Sequence, residues 1–396
     1  MFFGGAMLII KNGTIHTMTG KTYRKGDVLI DGQRIKSVGE NIPSGMWSGH
    51  DVSIIDAGGL HVYPGFIDAH SHIGITEEKK GKAGDDCNEV TNPITPCLRA
   101  IDAINPMDSA FHNAIAAGIT AAMVGPGSAN PIGGQFALIK TDGRRIDNMI
   151  VKAPAAMKIA FGENPKTNYG SIGTIPSTRM AIASLIREEL FNARQYYRDK
   201  MACQRDGSDF EESFSMECYV PLFEKRIPLK AHVHRVDDIF TAIRIAKEFD
   251  LLLTLDHCTE GHLIADDIFE SGYPAIVGPS LASRTKIEVK SSDFMTAGVL
   301  NKSGVLVALT TDHPVSRIQY LPICAGLAAK EGMGKEEALM AITINAARIC
   351  GAADRIGTIE AGKDADIVVY DGNPLEIFSK AVYTLINGQV VYKSNA

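Results

Sequence analysis

Three textures of apolar and polar residues follow one another along the chain. From Met7 to about Tyr63, short apolar runs (Leu8–Ile10, Val28–Ile30, Ile35–Val38, Val52–Ile55) are broken by Asn12-Gly13, Asp31-Gly32 and Gly58-Gly59. Such runs between turn-forming pairs predict a small antiparallel sheet, because Asn-Gly and Asp-Gly accept the positive φ of tight hairpins. From Pro64 to about Gly351, apolar strands alternate with amphipathic segments, the pattern of repeated βα units around a parallel sheet. Examples are the strand before His232, a helix over Asp237–Phe249, a strand over Leu251–Leu255, a helix near Thr259–Ser271 and a strand over Pro274–Val277. The end returns to strand texture, with Ala365–Tyr370 and Ala381–Tyr392 about a turn at Asn387-Gly388. The expected fold class is therefore α/β: a (β/α)8 TIM barrel over 64–351, with 7–63 and 352–396 pairing into one small β-sandwich domain.

Composition narrows the setting. At 396 residues and 45% hydrophobic content the chain is long enough for a barrel of ~250 residues and a smaller companion. A net charge of -6, with Lys and Arg scattered, offers no basic stripe for a phosphate backbone, so nucleic acid is not an expected partner. Seven cysteines without a CxxC pair fit reduced thiols in a cytoplasmic enzyme better than a disulfide framework. The apolar opening Met1–Ile10 is too short to span a bilayer and lacks a signal peptide's charged front and cleavage site. We read it as a strand, with Met1–Ala6 extraneous to the fold. No other stretch reaches the ~18 apolar residues of a membrane helix, so no membrane partner is expected. The expected partners are a small-molecule substrate and further copies of the chain.

Candidate chemistry collects where barrel strands end, which is where parallel α/β barrels place their active sites. Gly65-Phe66-Ile67-Asp68-Ala69-His70-Ser71-His72 is an apolar strand finishing in His-x-His. Residues two apart on a strand share a face, so both imidazoles can meet one ion, with Asp68 as support for a metal-bound ring. A second His-x-His ends Leu229-Lys230-Ala231-His232-Val233-His234. Two ligands from this strand would be redundant, so His232 is assigned to metal and His234 to substrate or catalysis. His257 follows the buried run Leu251–Leu255, and Asp312 follows Val305–Thr311. Singly, such a His or Asp is more often structural. Together, His70, His72, His232, His257 and Asp312 offer nitrogen and oxygen donors that suit zinc without excluding manganese, iron or cobalt.

With these motifs the sequence resembles the amidohydrolase superfamily, and more closely its imidazolonepropionase-like and dipeptidase-like branch. The resemblance also covers Ile9–Gly13, Thr311-Asp312-His313-Pro314, Thr343–Ala347 and Gly357–Val368. It implies a metal-dependent hydrolase of carbon–nitrogen bonds, acting on a small amide, dipeptide or cyclic amide through a metal-activated hydroxide. In the two-metal branch a fourth-strand lysine becomes a carbamate bridging both ions. Lys158, within Ala155-Ala156-Met157-Lys158-Ile159-Ala160, falls on that position, with a surface lysine as the alternative and Glu163 as the fallback donor. Asp312 is then the expected proton acceptor and donor, and His234 an oxyanion partner.

The loops offer Tyr169, Arg179, Arg284, His313 and Arg317 as candidate substrate contacts. A single-metal deaminase of the same fold would carry a Glu three residues after the fifth-strand His. Arg235 and Asp237 stand at those positions, which argues against it. An imidazolonepropionase-type single-metal enzyme, a lactonase or phosphotriesterase, and a non-catalytic assembly relative are the other readings. Substrate identity lies in loop shapes that sequence does not give.

Overall fold

The computed structural model describes residues 7–78 and 81–394; Met1–Ala6, set apart above, lies outside them. Sixteen strands follow the chain: β1 Met7–His16, β2 Thr22–Asp31, β3 Arg34–Gly39, β4 Val52–Asp56, β5 His61–Pro64, β6 Phe66–Ser71, β7 Ile119–Val124, β8 Ile132–Lys140, β9 Ile150–Ala160, β10 Leu229–Val233, β11 Leu253–His257, β12 Ala275–Val277, β13 Val307–Leu309, β14 Ile367–Tyr370, β15 Ala381–Ile386 and β16 Gln389–Lys393.

The chain ends build one mixed sheet in the order β16-β15-β14-β5-β1-β2-β3, with β4 also paired to β1. Its terminal hairpin, β15 to β16, turns at Asn387 and Gly388 with φ of 49° and 76°, the two positive values that a type I′ turn requires. Apolar side chains from both ends of the chain share one core there, among them Ile10, Ile15, Val28, Val62, Ile367 and Leu385.

The second sheet has eight strands in the order β13 to β6 and rolls into a nearly closed barrel. At the seam, the backbone N–H of His72 donates to the carbonyl of His313 at 2.9 Å. Five of the seven pairings are parallel, as β/α texture predicts, but β7/β8 and β8/β9 are antiparallel. The expected uniform β/α alternation therefore fails at the third barrel strand. The reason is chain length: 125–131 and 141–149 are too short for the crossover that a parallel neighbour needs. Nothing in an apolar strand's composition reveals its direction.

Elsewhere helices cover the strands. Val236–Phe249 buries Ile239, Ala242, Ile243, Ala246 and Phe249 at three- and four-residue spacing. Arg179–Asp206 starts where the Thr178 side chain accepts from the Ala181 N–H and stops at left-handed Gly207. Inside the barrel, Ile67, Met123, Phe136, Leu138 and Ile276 pack against Ala346, Ile349 and Ile356, which plug one end. No helix among the described residues is long and apolar enough to cross a membrane.

Candidate metal centre and active site

The alternation of strand side chains decides what reaches the barrel interior. On β9, Met157 and Ile159 join the core between strands and helices, so Lys158 points inward; on β10, Leu229, Ala231 and Val233 do the same and turn Lys230 and His232 inward. His257 shares the parity of Leu253 and Leu255, yet its φ of +70° breaks the strand and redirects the ring. Asp312, at φ +51°, does so after β13. Left-handed backbone at non-glycine residues is strained and recurs at functional sites.

Two groups of donors result among the described residues: His70, His72 and Asp312, and His232, His234 and His257. Within each group the ligand atoms lie within 4.8 Å of one another. His70 bridges the groups, with ring centroids 5.2 Å from His72 and 5.1 Å from His257.

Hydrogen bonds fix which ring nitrogen faces the centre. His72 Nδ1 lies 2.7 Å from the Gly125 carbonyl and His257 Nδ1 2.7 Å from the Gly278 carbonyl. Carbonyls only accept, so these Nδ1 atoms carry protons and the Nε2 lone pairs point inward. His70 Nδ1 pairs with Asp256 at 2.7 Å, His232 Nδ1 with the Ser128 hydroxyl at 2.8 Å, and His234 Nδ1 with the Thr259 hydroxyl at 2.7 Å. Asp68 does not support the His70 ring as expected. It accepts from Thr310 Oγ1 at 2.7 Å, Thr311 and the His70 backbone, tying the end of β6 to the chain after β13. The carboxylate on the ring comes instead from Asp256 on β11.

The inward faces hold polar atoms that demand a cation. Asp312 Oδ1 lies 3.2 Å from His72 Nε2 and 3.5 Å from His70 Nε2, where acceptor would face acceptor unless a proton or metal stood between. Without metal the answer is a proton: burial opposes it, but Cys87 and Asp312 outweigh burial and push His72 up to about 10. Burial holds His70, His232 and His257 well below the ordinary imidazole range, leaving neutral rings fit for ligation. His70 Nε2 and Lys158 Nζ are buried without hydrogen-bond partners. Lys158 is fully buried, not on the surface, and burial lowers it to about 8 although Asp256 and Asp312 pull it up. A buried amine of that kind, without a hydrogen-bond partner, fits a metal centre once it carries a carboxylate.

The centre opens into a cavity of about 340 Å³, walled by His72, His232, His234 and Asp312 and by Cys87, Ser128, Asn164 and Lys286. The five candidate substrate contacts are not among its lining residues. Tyr169 is buried and donates to Asn130 at 2.6 Å, Arg179 pairs with Asp238 at 3.0 Å, Arg284 donates to the Ser292 carbonyl, and Arg317 is exposed. His313 is buried, its Nδ1 accepting from the Ile318 N–H. Glu163 is half-buried outside this cavity and takes no place among the donors. Lys286 and Asn164 stand where substrate contacts were sought. Asn164 lies in the first turn of the helix Glu163–Gly170 after β9 and Lys286 in the polar loop after β12, and neither stretch carries a periodicity that could have signalled them. Asp256 had a signal, since it directly precedes His257, but its use depends on a partner far away in sequence.

Comparison with known proteins adds relatives to this geometry. The Amidohydrolase family profile matches residues 270–392. The crystal structure of an amidohydrolase from Thermotoga maritima MSB8 superposes with a TM-score of 0.93 at 42% identity, covering 98% of this chain and all of that one. Amidohydrolase tasK of Hapsidospora irregularis is 29% identical over 93% of this chain, which spans only 40% of that protein's length. Imidazolonepropionase of Thermoplasma acidophilum is 24% identical over 94% of this chain and 90% of its own.

Proposed function

Because the chain belongs to the amidohydrolase superfamily, we propose that it hydrolyses a carbon–nitrogen bond of a small amide, dipeptide or cyclic amide at a two-cation centre. His70, His72 and Asp312 would hold one ion and His232 and His257 the other, and Lys158, carboxylated by carbon dioxide with loss of a proton, would supply a further anionic oxygen donor. The observation that carries this reading is the shared anchoring of the histidines: each Nδ1 is engaged elsewhere, which leaves Nε2 for ligation, and the Nε2 atoms of His70 and His72 lie 3.5 and 3.2 Å from Asp312 Oδ1. Imidazole and carboxylate donors favour zinc. A divalent cation held there would supply a lowered pKa for its water, from ~15.7 towards ~7, and polarisation of the scissile carbonyl.

The chain's own groups do the rest. The Asp312 carboxylate, on the cavity wall, accepts the proton of the attacking water and passes it to the leaving nitrogen. His234, neutral because burial lowers it to about 4, faces the same cavity and serves the developing oxyanion. Lys286, Asn164 and Ser128 line the cavity where a polar substrate group would rest. The likeness to an imidazolonepropionase supports a cyclic amide within this class. The separate apolar core shared by the chain ends supports reading them as a sandwich domain beside a barrel domain.

Elemental analysis of zinc-loaded, dialysed protein should approach about two equivalents. A screen of dipeptides, N-acyl amino acids, hydantoins, lactams and imidazolones should find turnover. Asp312→Asn should lower it by about a hundredfold or more while metal is kept. A stable single equivalent with Lys158→Ala fully active would sink the carbamate; ammonia release from purines, with no amide turned over, would favour a deaminase.

A further inference from the structure

Glu288 stands beside this constellation, outside both groups of donors. It lies in the 3-10 turn Ile287–Val289, in the loop after β12, and is 2% exposed. Its Oε2 accepts the Glu163 N–H at 2.7 Å. Its Oε1 is shut off from solvent and has no hydrogen-bond partner. That oxygen lies 3.9 Å from His232 Nε2 and 3.8 Å from His234 Nε2, with Lys286 Nζ at 3.7 Å. All three separations exceed hydrogen-bond length. A buried carboxylate oxygen left bare is unfavourable, and native proteins normally supply it with a donor or a cation.

The surroundings decide what that cation is. Lys286 is half out in solvent and its ammonium donates to Asn164 Oδ1. A substrate ammonium would have to reach an oxygen that water does not, on a residue absent from the cavity wall. A bare metal ion is small enough. Separations of 3.8–3.9 Å fall inside the span of two metal–ligand bonds of about 2.0–2.2 Å. The weak contact of Asn164 Nδ2 with His232 Nε2, 3.4 Å, is one an ion would replace.

We propose that Glu288 is a metal ligand, its Oε1 completing with His232 the seat of the cation on the β10 side of the cavity. This rests on the two-cation reading above and adds to it an oxygen donor from the loop after β12. Glu288→Gln preserves the shape and the acceptor for the Glu163 N–H but removes the charge.

Cobalt(II) titration of the metal-free full chain, followed by visible absorption and dialysis, reads the effect directly. Wild type should take two equivalents. E288Q should take one unchanged and the other with its Kd raised about tenfold or more and its visible band shifted. Adding E288Q to His232→Ala should change nothing further, because both remove the same seat. Metal-free E288Q should melt close to metal-free wild type, since Gln keeps an acceptor for the Glu163 N–H and the 3.7 Å ion pair with partly exposed Lys286 contributes little; this separates a lost ligand from a lost fold. Two equivalents with unaltered affinity and spectrum in E288Q would overturn the assignment. Unaltered metal binding with a KM rise confined to amine-bearing substrates would overturn it too, placing Glu288 on substrate. If wild type takes one ion that His232→Ala leaves in place, the two-cation reading itself fails, and Glu288 falls with it.

Discussion

His232 and His234 end the same strand two residues apart, with ring centroids 4.6 Å from each other and planes at 88°. The perpendicular rings put two nearly equivalent nitrogens at one cavity, and their neighbours tell them apart. His232 is anchored by Ser128 and meets His257 edge-to-face with centroids 4.5 Å apart, whereas His234 is anchored by Thr259 nearer the loops and stacks on His257 at 4.9 Å. His232→Ala should therefore lower metal content, while His234→Ala should keep metal and lose mainly kcat/KM. The reverse pattern in elemental analysis and steady-state kinetics would exchange the two roles. At this scale the strand-end histidines were legible because an imidazole after an apolar run is unusual and four strand ends carried His or Asp. The role of Asp256 was not legible from its place before His257, and Cys87 and Glu288 carried no signal at all. Each acts through a neighbour brought close only by the closed barrel, and each taken alone is an ordinary loop or strand residue.

Strands were readable wherever turn residues bracketed an apolar run: β2, β3, β4 and β14 all lie where the texture placed strands. Direction and pairing partner were not readable, since both depend on connection length and on what else closes the sheet. The junction of β1 and β5 shows how such pairing creates its own chemistry. There His16 stacks on Tyr63 with centroids 4.4 Å apart, and its Nε2 meets His61 Nδ1 at 3.0 Å. Burial, then the charge of His61, lowers His16 to about 4. The folded form thus binds a proton only at lower pH than the unfolded chain, whose imidazole titrates near the ordinary 6.5. Stability from this site is complete above that value and is lost as pH falls towards 4. Urea midpoints measured between pH 7 and pH 4.5 should decline, and His16→Gln should flatten part of that slope. An identical slope in the variant would remove His16 from the acid response.

Across the whole molecule, the barrel is clamped to the terminal sheet by buried charge. Lys140, at the end of β8, meets Asp364 at 3.0 Å and also Asp366, with Arg34 and Arg355 closing on Asp364 at 2.6 and 2.9 Å. Lys140 and both aspartates are almost wholly buried. Replacing Lys140 with Met leaves carboxylates short of a partner and should cost about 3–5 kcal/mol of unfolding free energy. Denaturation by urea would measure it, and a loss within ~1 kcal/mol would show that the arginines suffice. The order of the sheets also sets a schedule. β7, β8 and β9 are joined through 125–131 and 141–149 and can meet while the rest of the chain is still being made. β5, by contrast, waits for β14, pairing Pro64 with Ile367, so its edge stays bare through most of synthesis. The sheet begun first is finished last, and an open strand edge on a growing chain is a place for wrong partners to attach.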